Sequence, residues 1–286
     1  MSVRATTRLT GGELMQAFRV RCHADRSPYA ASEGARATEI ILPLRGMFMY
    51  EIQGHEIVAD VTSAVVVGYG DEYRVSHPID GGDECIVLVA APVVLEEAFG
   101  DVGGRCGHRT PATQLALHHL AALERIAIDA LRSDETCLGV LDRVARDVKS
   151  DRRSEPRMTD AARRQARLAQ TLLAGDPTAI WRLASLAREV GCSPFHLARL
   201  FRATTGTSIH RYLTRLRLAI ALGRLAQGET DLSRLAADLG FAHHSHFGAA
   251  FRATFGLGPA QARRTLSSSD WTEMSTFLIA REGRAA

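Results

Sequence analysis

Two stretches of the chain, residues 183–206 and 232–256, repeat one another, and this restricts what the C-terminal half can fold into. Leu183, Leu186, Ala187, Val190 and Gly191 recur 49 residues later as Leu232, Leu235, Ala236, Leu239 and Gly240. After one inserted residue, Leu197 and Phe201 match Phe247 and Phe251, and Phe-Arg-Ala-Thr-x-Gly closes both copies. In each copy an i, i+3, i+4, i+7 apolar pattern predicts a short amphipathic helix, and the glycine ends it in a left-handed conformation. A polar turn then starts a second helix. In the first copy Ser193 is placed as N-cap and Pro194 as the first helical residue, where a missing N–H costs nothing. Leu197, Leu200 and Phe201 would face inward, leaving Phe195, His196, Ala198, Arg199 and Arg202 outside. In the second copy the outer positions are His243, His244, Ser245, Gly248, Ala249 and Arg252. A second helix presented this way is what the DNA major groove accepts. Residues 209–226, capped by Ser208, predict a connecting helix about 27 Å long. That length suits two reading helices held near one turn of B-DNA, about 34 Å, apart.

Charge divides along the same line. Residues 1–150 hold 15 basic and 21 acidic residues, net −6, whereas residues 151–286 hold 20 and 11, net +9. The basic half is the half with the repeat, as a phosphate-binding surface requires.

The ordered residues Ala236, Gly240, Phe241, then Phe247, Phe251, Arg252, then Gly256 and Pro259 resemble the DNA-binding domain of the AraC/XylS family of bacterial transcription regulators. The resemblance covers roughly residues 178–264. Gly258, where the family usually has Ser or Thr, and Ala262, where it often has an aromatic residue, depart from the pattern. Both belong to the packing of the last helix. The family's base-facing positions fall on Phe195, Ala198 and Arg199. Arg199 is the strongest reader, since a guanidinium can donate two bonds to guanine, although pairing with phosphate or Glu189 is the alternative. In the second copy Ala249 stands where the family often has arginine, and Gly248 weakens the helix. The first unit is therefore expected to set sequence preference and the second to anchor. Arg202 and Arg252 suit phosphate contact or stabilisation of a helix end.

The N-terminal part reads differently. Segments 38–44, 46–52, 55–58, 64–67, 73–77 and 85–90 are short, rich in branched and aromatic residues, and punctuated by glycine, as in a β-sandwich or barrel. Gln53-Gly54 is a plausible hairpin turn. In front of an AraC-like domain this segment resembles the family's cupin-type effector-sensing barrel. A metal-dependent cupin enzyme is disfavoured, because residues 1–150 contain no His-x-His pair. His55 and His77 stand apart and read as half-exposed strand positions. Cys22, Cys85, Cys106 and His108 (with His23) form a less trivial set: buried small hydrophobes, a metal or metalloid sensor, or a redox sensor. The five cysteines at irregular spacing do not suggest a disulfide framework.

Two amphipathic helices follow, with a break and N-cap placed at residues 133–136. Their apolar stripes, Leu117, Leu120, Leu123, Ala127 and Leu131, then Leu138, Leu141, Val144 and Val148, would cover the β-domain or pair two chains. A helix over 159–173 carries Arg163, Arg164 and Arg167, read as a solvated face or a phosphate contact. Asp270 would cap a short helix in the tail.

The expected fold is α+β: an N-terminal cupin-like β-barrel, a helical hairpin, and an all-α domain with two helix-turn-helix units joined by a long helix. The expected boundaries are 1–112, 113–148, a linker at 149–156, a DNA-binding domain at 157–266 and a tail at 267–286. The expected function is a sequence-specific DNA-binding regulator, an activator by family habit, and not an enzyme. Promoter DNA, a small effector, a second copy of the chain and RNA polymerase are its expected partners, with no cofactor. No apolar run approaches the roughly 20 residues of a membrane span, and no leader is recognised, so a cytoplasmic setting is expected. Three alternatives stay open: a thiol- or metal-responsive regulator using Cys22, Cys85 and Cys106; a cupin-type enzyme; and a DNA-binding protein whose β-domain only pairs chains.

Overall fold

The computed structural model describes residues 3–100, 105–122, 129–150 and 158–267. Ten strands come first: β1 (Val3–Gly11), β2 (Met15–His23), β3 (Glu33–Gly34), β4 (Glu39–Arg45), β5 (Met47–Ile52), β6 (His55–Asp60), β7 (Ser63–Val67), β8 (Glu72–Ser76), β9 (Asp83–Ala90) and β10 (Arg105–His108). Helix α1 (Pro92–Phe99) precedes β10. The hairpin helices are α2 (Pro111–Ala122) and α3 (Ala130–Ser150). The C-terminal helices are α4 (Asp160–Gly175), α5 (Leu183–Val190), α6 (Pro194–Thr205), α7 (Ile209–Ala226), α8 (Leu232–Asp238), α9 (His244–Phe255) and α10 (Pro259–Ser267). Most of the expected linker and tail, with Leu123 and Ala127, falls outside the described residues.

The strands form two sheets, ordered β1-β2-β9-β4-β7-β10 and β3-β8-β5-β6. The expected closed barrel is not formed. β7 is paired on one edge by β4 and on the other by β10, so no edge is left for β6 to close the cylinder. The chain instead turns a corner between β6 and β7, where Asp60 Oδ1 accepts from the Thr62 N–H and hydroxyl, both at 2.7 Å. Gln53 and Gly54, at φ 49° and 80°, make the β5–β6 hairpin, the paired positive φ of a type I′ turn.

Both faces of the central strands of the six-stranded sheet are covered, and side chains alternate between them. Ile41, Val65, Val67 and Val87 enter the core between the sheets with Phe48 and Tyr50. Their neighbours Ile40, Val66, Ile86 and Leu88 enter a second core on the opposite face. That core is shared with Leu115, Leu117, Leu120, Val140, Leu141 and Val144 of the hairpin and with the second helix-turn-helix unit. Leu117 and Leu120 of the first expected stripe, and Leu141, Val144 and Val148 of the second, are thus buried within the chain. The helix break lies earlier than expected: Ser133 and Thr136 are buried inside α3, and Asp129 caps the helix, its carboxylate accepting the Arg132 N–H at 2.8 Å. Asp134 is not a cap. It accepts the backbone N–H groups of Glu13, Leu14 and Met15 in the β1–β2 turn. Leu131, assigned to the first stripe, is 72% exposed.

Candidate nucleic-acid interface and effector cavity

The two C-terminal units are built alike. Gly191 and Gly240 end α5 and α8 at φ 76° and 71°. Gly206 and Gly256 end α6 and α9, each donating its N–H to the carbonyl of the repeated arginine, Arg202 or Arg252. Leu197 and Phe201 in one copy, and Phe247, Phe251 and Phe255 in the other, are buried. Phe195, His196, Ala198, Arg199 and Arg202 are exposed on α6, and His243, His244, Ser245, Ala249 and Arg252 on or just before α9. Gly248 is half-buried.

The copies differ in detail. Ser193 caps α6, accepting the His196 N–H at 3.2 Å, and Pro194 opens the helix. His243 occupies the same place before α9 with no side-chain capping bond. The Arg199 guanidinium lies 5.7 Å from the centre of the Phe195 ring, and among the described residues it forms no ion pair with Glu189. Its charge is therefore held at the outer face rather than drawn into the domain.

Helix α7 spans residues 209–226 as expected, with Ser208 accepting the Arg211 N–H. Arg217, in its middle, braces both units. It donates to the carbonyls of Pro177 and Ala179 before α5 at 2.7 and 3.0 Å, and to the carbonyl of Gly240 after α8 at 3.1 Å. Of the three clustered arginines, Arg167 is half-buried and pairs with Glu56 of β6 at 2.6 Å. Arg163 pairs with Asp160 at 3.2 Å.

Between the sheets lies a cavity of about 490 Å³, walled by Val20, Ile41, Phe48, Tyr50, Tyr73 and Val87. Arg4, Glu33, Glu39, Tyr29 and Arg74 add polar groups, a composition suited to a small organic molecule. Burial pushes the Tyr50 hydroxyl and the Cys85 thiol well up, and raises the Glu39 carboxyl. A thiol held protonated is a poor redox sensor.

The cysteine set is not brought together. Cys22 and Cys85 lie on adjacent β2 and β9, whereas Cys106, exposed on β10, is three strands beyond β9 in the same sheet. The side chain of His108 falls outside the described residues. Cys22 instead meets His77 and Asp83, their ligand atoms all within 4.8 Å of one another. His77 is not the half-exposed strand residue expected: it is buried, with Nε2 2.9 Å from Asp83. Asp83 and Tyr29 were not legible as site residues, because each depends on pairing across sheets rather than on a local motif.

Cavity and helical domain are physically joined. The Tyr29 hydroxyl donates to Glu56 Oε1 at 3.1 Å, and Glu56 Oε2 pairs with Arg167 on α4, which packs on α6. At the β6–β7 corner the buried Tyr212 hydroxyl of α7 donates to Asp60. Arg109, also buried, donates to the carbonyls of Pro43 and Val61, and burial lowers its pKa to about 10.

Residues 186–265 match the family model described as a helix-turn-helix domain. A putative AraC-like transcription regulator of Streptomyces lividans is 34% identical over 96 residues, 34% of this chain and 32% of that protein. The virulence regulon transcriptional activator VirF of Yersinia enterocolitica is 32% identical over 85 residues, 30% of this chain and 31% of its own length. The chain thus spans about a third of the length of the curated relatives it matches. Among solved structures, ToxT of Vibrio cholerae aligns over 90% of this chain and 100% of its own at 13% identity and a TM-score of 0.35. The C-terminal half is a two-unit helix-turn-helix domain of the AraC type. That domain is similar to those of AraC-like transcription regulators, and the matched relatives are regulators. Among the described residues no helix is long and apolar enough to cross a membrane.

Proposed function

We propose that the chain is a transcription regulator that binds promoter DNA through two successive major-groove contacts and responds to a small molecule held between its β-sheets. The observation that carries this reading is the pair of exposed helices, α6 and α9, fixed to one stiff helix and braced by a single arginine. Arg199 reads bases and sets sequence preference. His244 and Ser245 donate hydrogen bonds of lower discrimination, so the second unit mainly anchors, and Arg202 and Arg252 serve the phosphates. In this reading the chain divides at 1–112, 113–148, 149–156, 157–266 and 267–286, with the hairpin as the bridge between sensing and binding. Activation is the family's commoner role. If two copies pair through the hairpin, its outer face must serve, where Leu131 is exposed.

The effector acts by differential affinity for DNA-competent and DNA-incompetent arrangements. Its effect has a physical route, because a ligand touching Tyr29 disturbs the hydroxyl that helps fix Glu56 and, through it, Arg167 on α4. Arg199→Ala and His244→Ala, each measured against a library of duplex sites, test the division of labour. Arg199→Ala is expected to cost about 1–3 kcal/mol of base discrimination. A greater loss of base preference from His244→Ala overturns it.

A further inference from the structure

One end of the inter-sheet cavity carries a donor set that effector binding by its aromatic wall does not use. Cys22 on β2 stands opposite Asp83 on β9 in the strand register. His77, just past β8, is brought to them from the other sheet by paired backbone bonds with Ser27 at 2.8 and 3.1 Å. As whole residues His77 and Asp83 are buried and Cys22 is half-buried, and the His77 side chain is 11% exposed. His77 Nε2 lies 2.9 Å from Asp83, and all three ligand atoms fall within 4.8 Å of one another. Nδ1, on the far side of the imidazole, meets the Ser27 hydroxyl at 3.4 Å, which directs Nε2 toward the cluster.

We infer that Cys22, His77 and Asp83 form a site for one divalent cation of the zinc class. A thiolate, an imidazole and a carboxylate are all zinc donors, and around a tetrahedral ion their atoms would sit about 3.3–3.6 Å apart. The three atoms need side-chain shifts of only about 1 Å to reach that spacing. A thiolate and a carboxylate together balance the charge of a divalent ion, the condition under which buried charges are tolerated. Among the described residues, the ion-pair partner that Asp83 has is His77. Ser27 plays the part of the outer partner that orients a metal-bound histidine. The ion would clip the two sheets together at the cavity wall. All three residues line the cavity, so the fourth coordination position faces into it, open to water or to a donor atom of a ligand. Only that last step rests on the effector reading.

The test uses the full-length chain, stripped with a chelator and titrated with Co²⁺ alone, followed by displacement with Zn²⁺. One Co²⁺ per chain is expected, with a near-ultraviolet thiolate-to-cobalt absorption that Zn²⁺ abolishes. Cys22→Ser should remove the band and weaken Zn²⁺ binding at least about a hundredfold, and Ser27→Ala, which keeps every ligand, should weaken it about 10–100-fold. Cys106→Ser should change nothing. No stoichiometric uptake by the wild-type chain, a band that survives Cys22→Ser, or one lost with Cys106→Ser overturns the site. Circular dichroism checks that each variant is folded, and Ser27→Ala decides the matter if Cys22→Ser is not. The readout needs neither DNA nor effector, so failure here is separable from failure of the regulator reading.

Discussion

Tyr212→Phe isolates the bond that joins the connecting helix to the β-domain. The ring is fully buried and packs edge-on against Phe201, with centroids 5.3 Å apart. Phenylalanine preserves that packing and removes the hydroxyl, which donates to Asp60 Oδ2 and also meets the Gln170 side chain. Asp60 is itself 2% exposed, and its other oxygen is already engaged by Thr62. A hydrogen bond to a charged acceptor contributes about 1.5–3 kcal/mol. The Asp60 carboxylate would not become an isolated charge, because Arg109 lies close enough to interact with it electrostatically. The loss should therefore stay near 2 kcal/mol, below the roughly 3–5 kcal/mol of a broken buried pair. For a chain of this size that corresponds to a fall in Tm of roughly 4–8 °C, at about 2–4 °C per kcal/mol. Thermal and urea unfolding followed by circular dichroism measure it. A double-mutant cycle with Asp60→Asn should return a coupling of about 1 kcal/mol or more. A change under about 0.5 kcal/mol, the size of an ordinary surface substitution, or independent effects of the two substitutions would refute the reasoning.

Other substitutions probe the helical domain and its bridge. Gly240→Ala places a Cβ at positive φ, 3.0 Å from Arg217 Nη2 and 3.1 Å from the Thr178 carbonyl. It should cost about 1–2 kcal/mol in unfolding for the left-handed backbone alone, and weaken DNA binding as the brace shifts. Ser193→Ala should lose about 1 kcal/mol of stability with its cap, whereas His243→Ala, at the uncapped start of α9, should lose far less; equal losses would contradict the asymmetry. Burial, with Arg132 nearby, lowers the His119 pKa to about 4 from an ordinary 6.5. The unfolded chain thus takes up a proton that the folded chain refuses, so stability present above pH 6.5 should fall progressively between pH 6.5 and 4, by up to about 3 kcal/mol from this group. His119→Leu should lessen that slope in urea titrations at successive pH values, leaving the share of His118, whose pKa burial lowers to about 3.

The helical half was legible because its signals are local. Ser193, Ser208 and the glycines at 191, 206, 240 and 256 mark helix ends within a few residues, and the apolar spacing fixes the inward face. The six expected strands fall within two or three residues of β4 to β9. β1 and β2 went unread because Arg19 and Arg21 interrupt the apolar alternation. Arg19 is instead accommodated by Glu84 at 2.8 Å and the Ala121 carbonyl at 2.7 Å, partners distant in sequence. The misplaced hairpin break has the same origin: Asp134 resembles a cap locally but serves a turn about 120 residues away. Barrel closure was not readable either, since it turns on which strand takes the free edge of β7. The Cys22–His77–Asp83 cluster is likewise a product of register between sheets.

The central claim is that one chain reads two DNA segments on one face of the duplex. Selection of binding sites from random duplexes by the purified full-length chain, followed by base-by-base substitution of the selected site, tests it most directly. The account predicts two preferred blocks centred about 10 base pairs apart, with sharper base preference in the block lost on Arg199→Ala. A single block, or binding with no base preference at all, would contradict it.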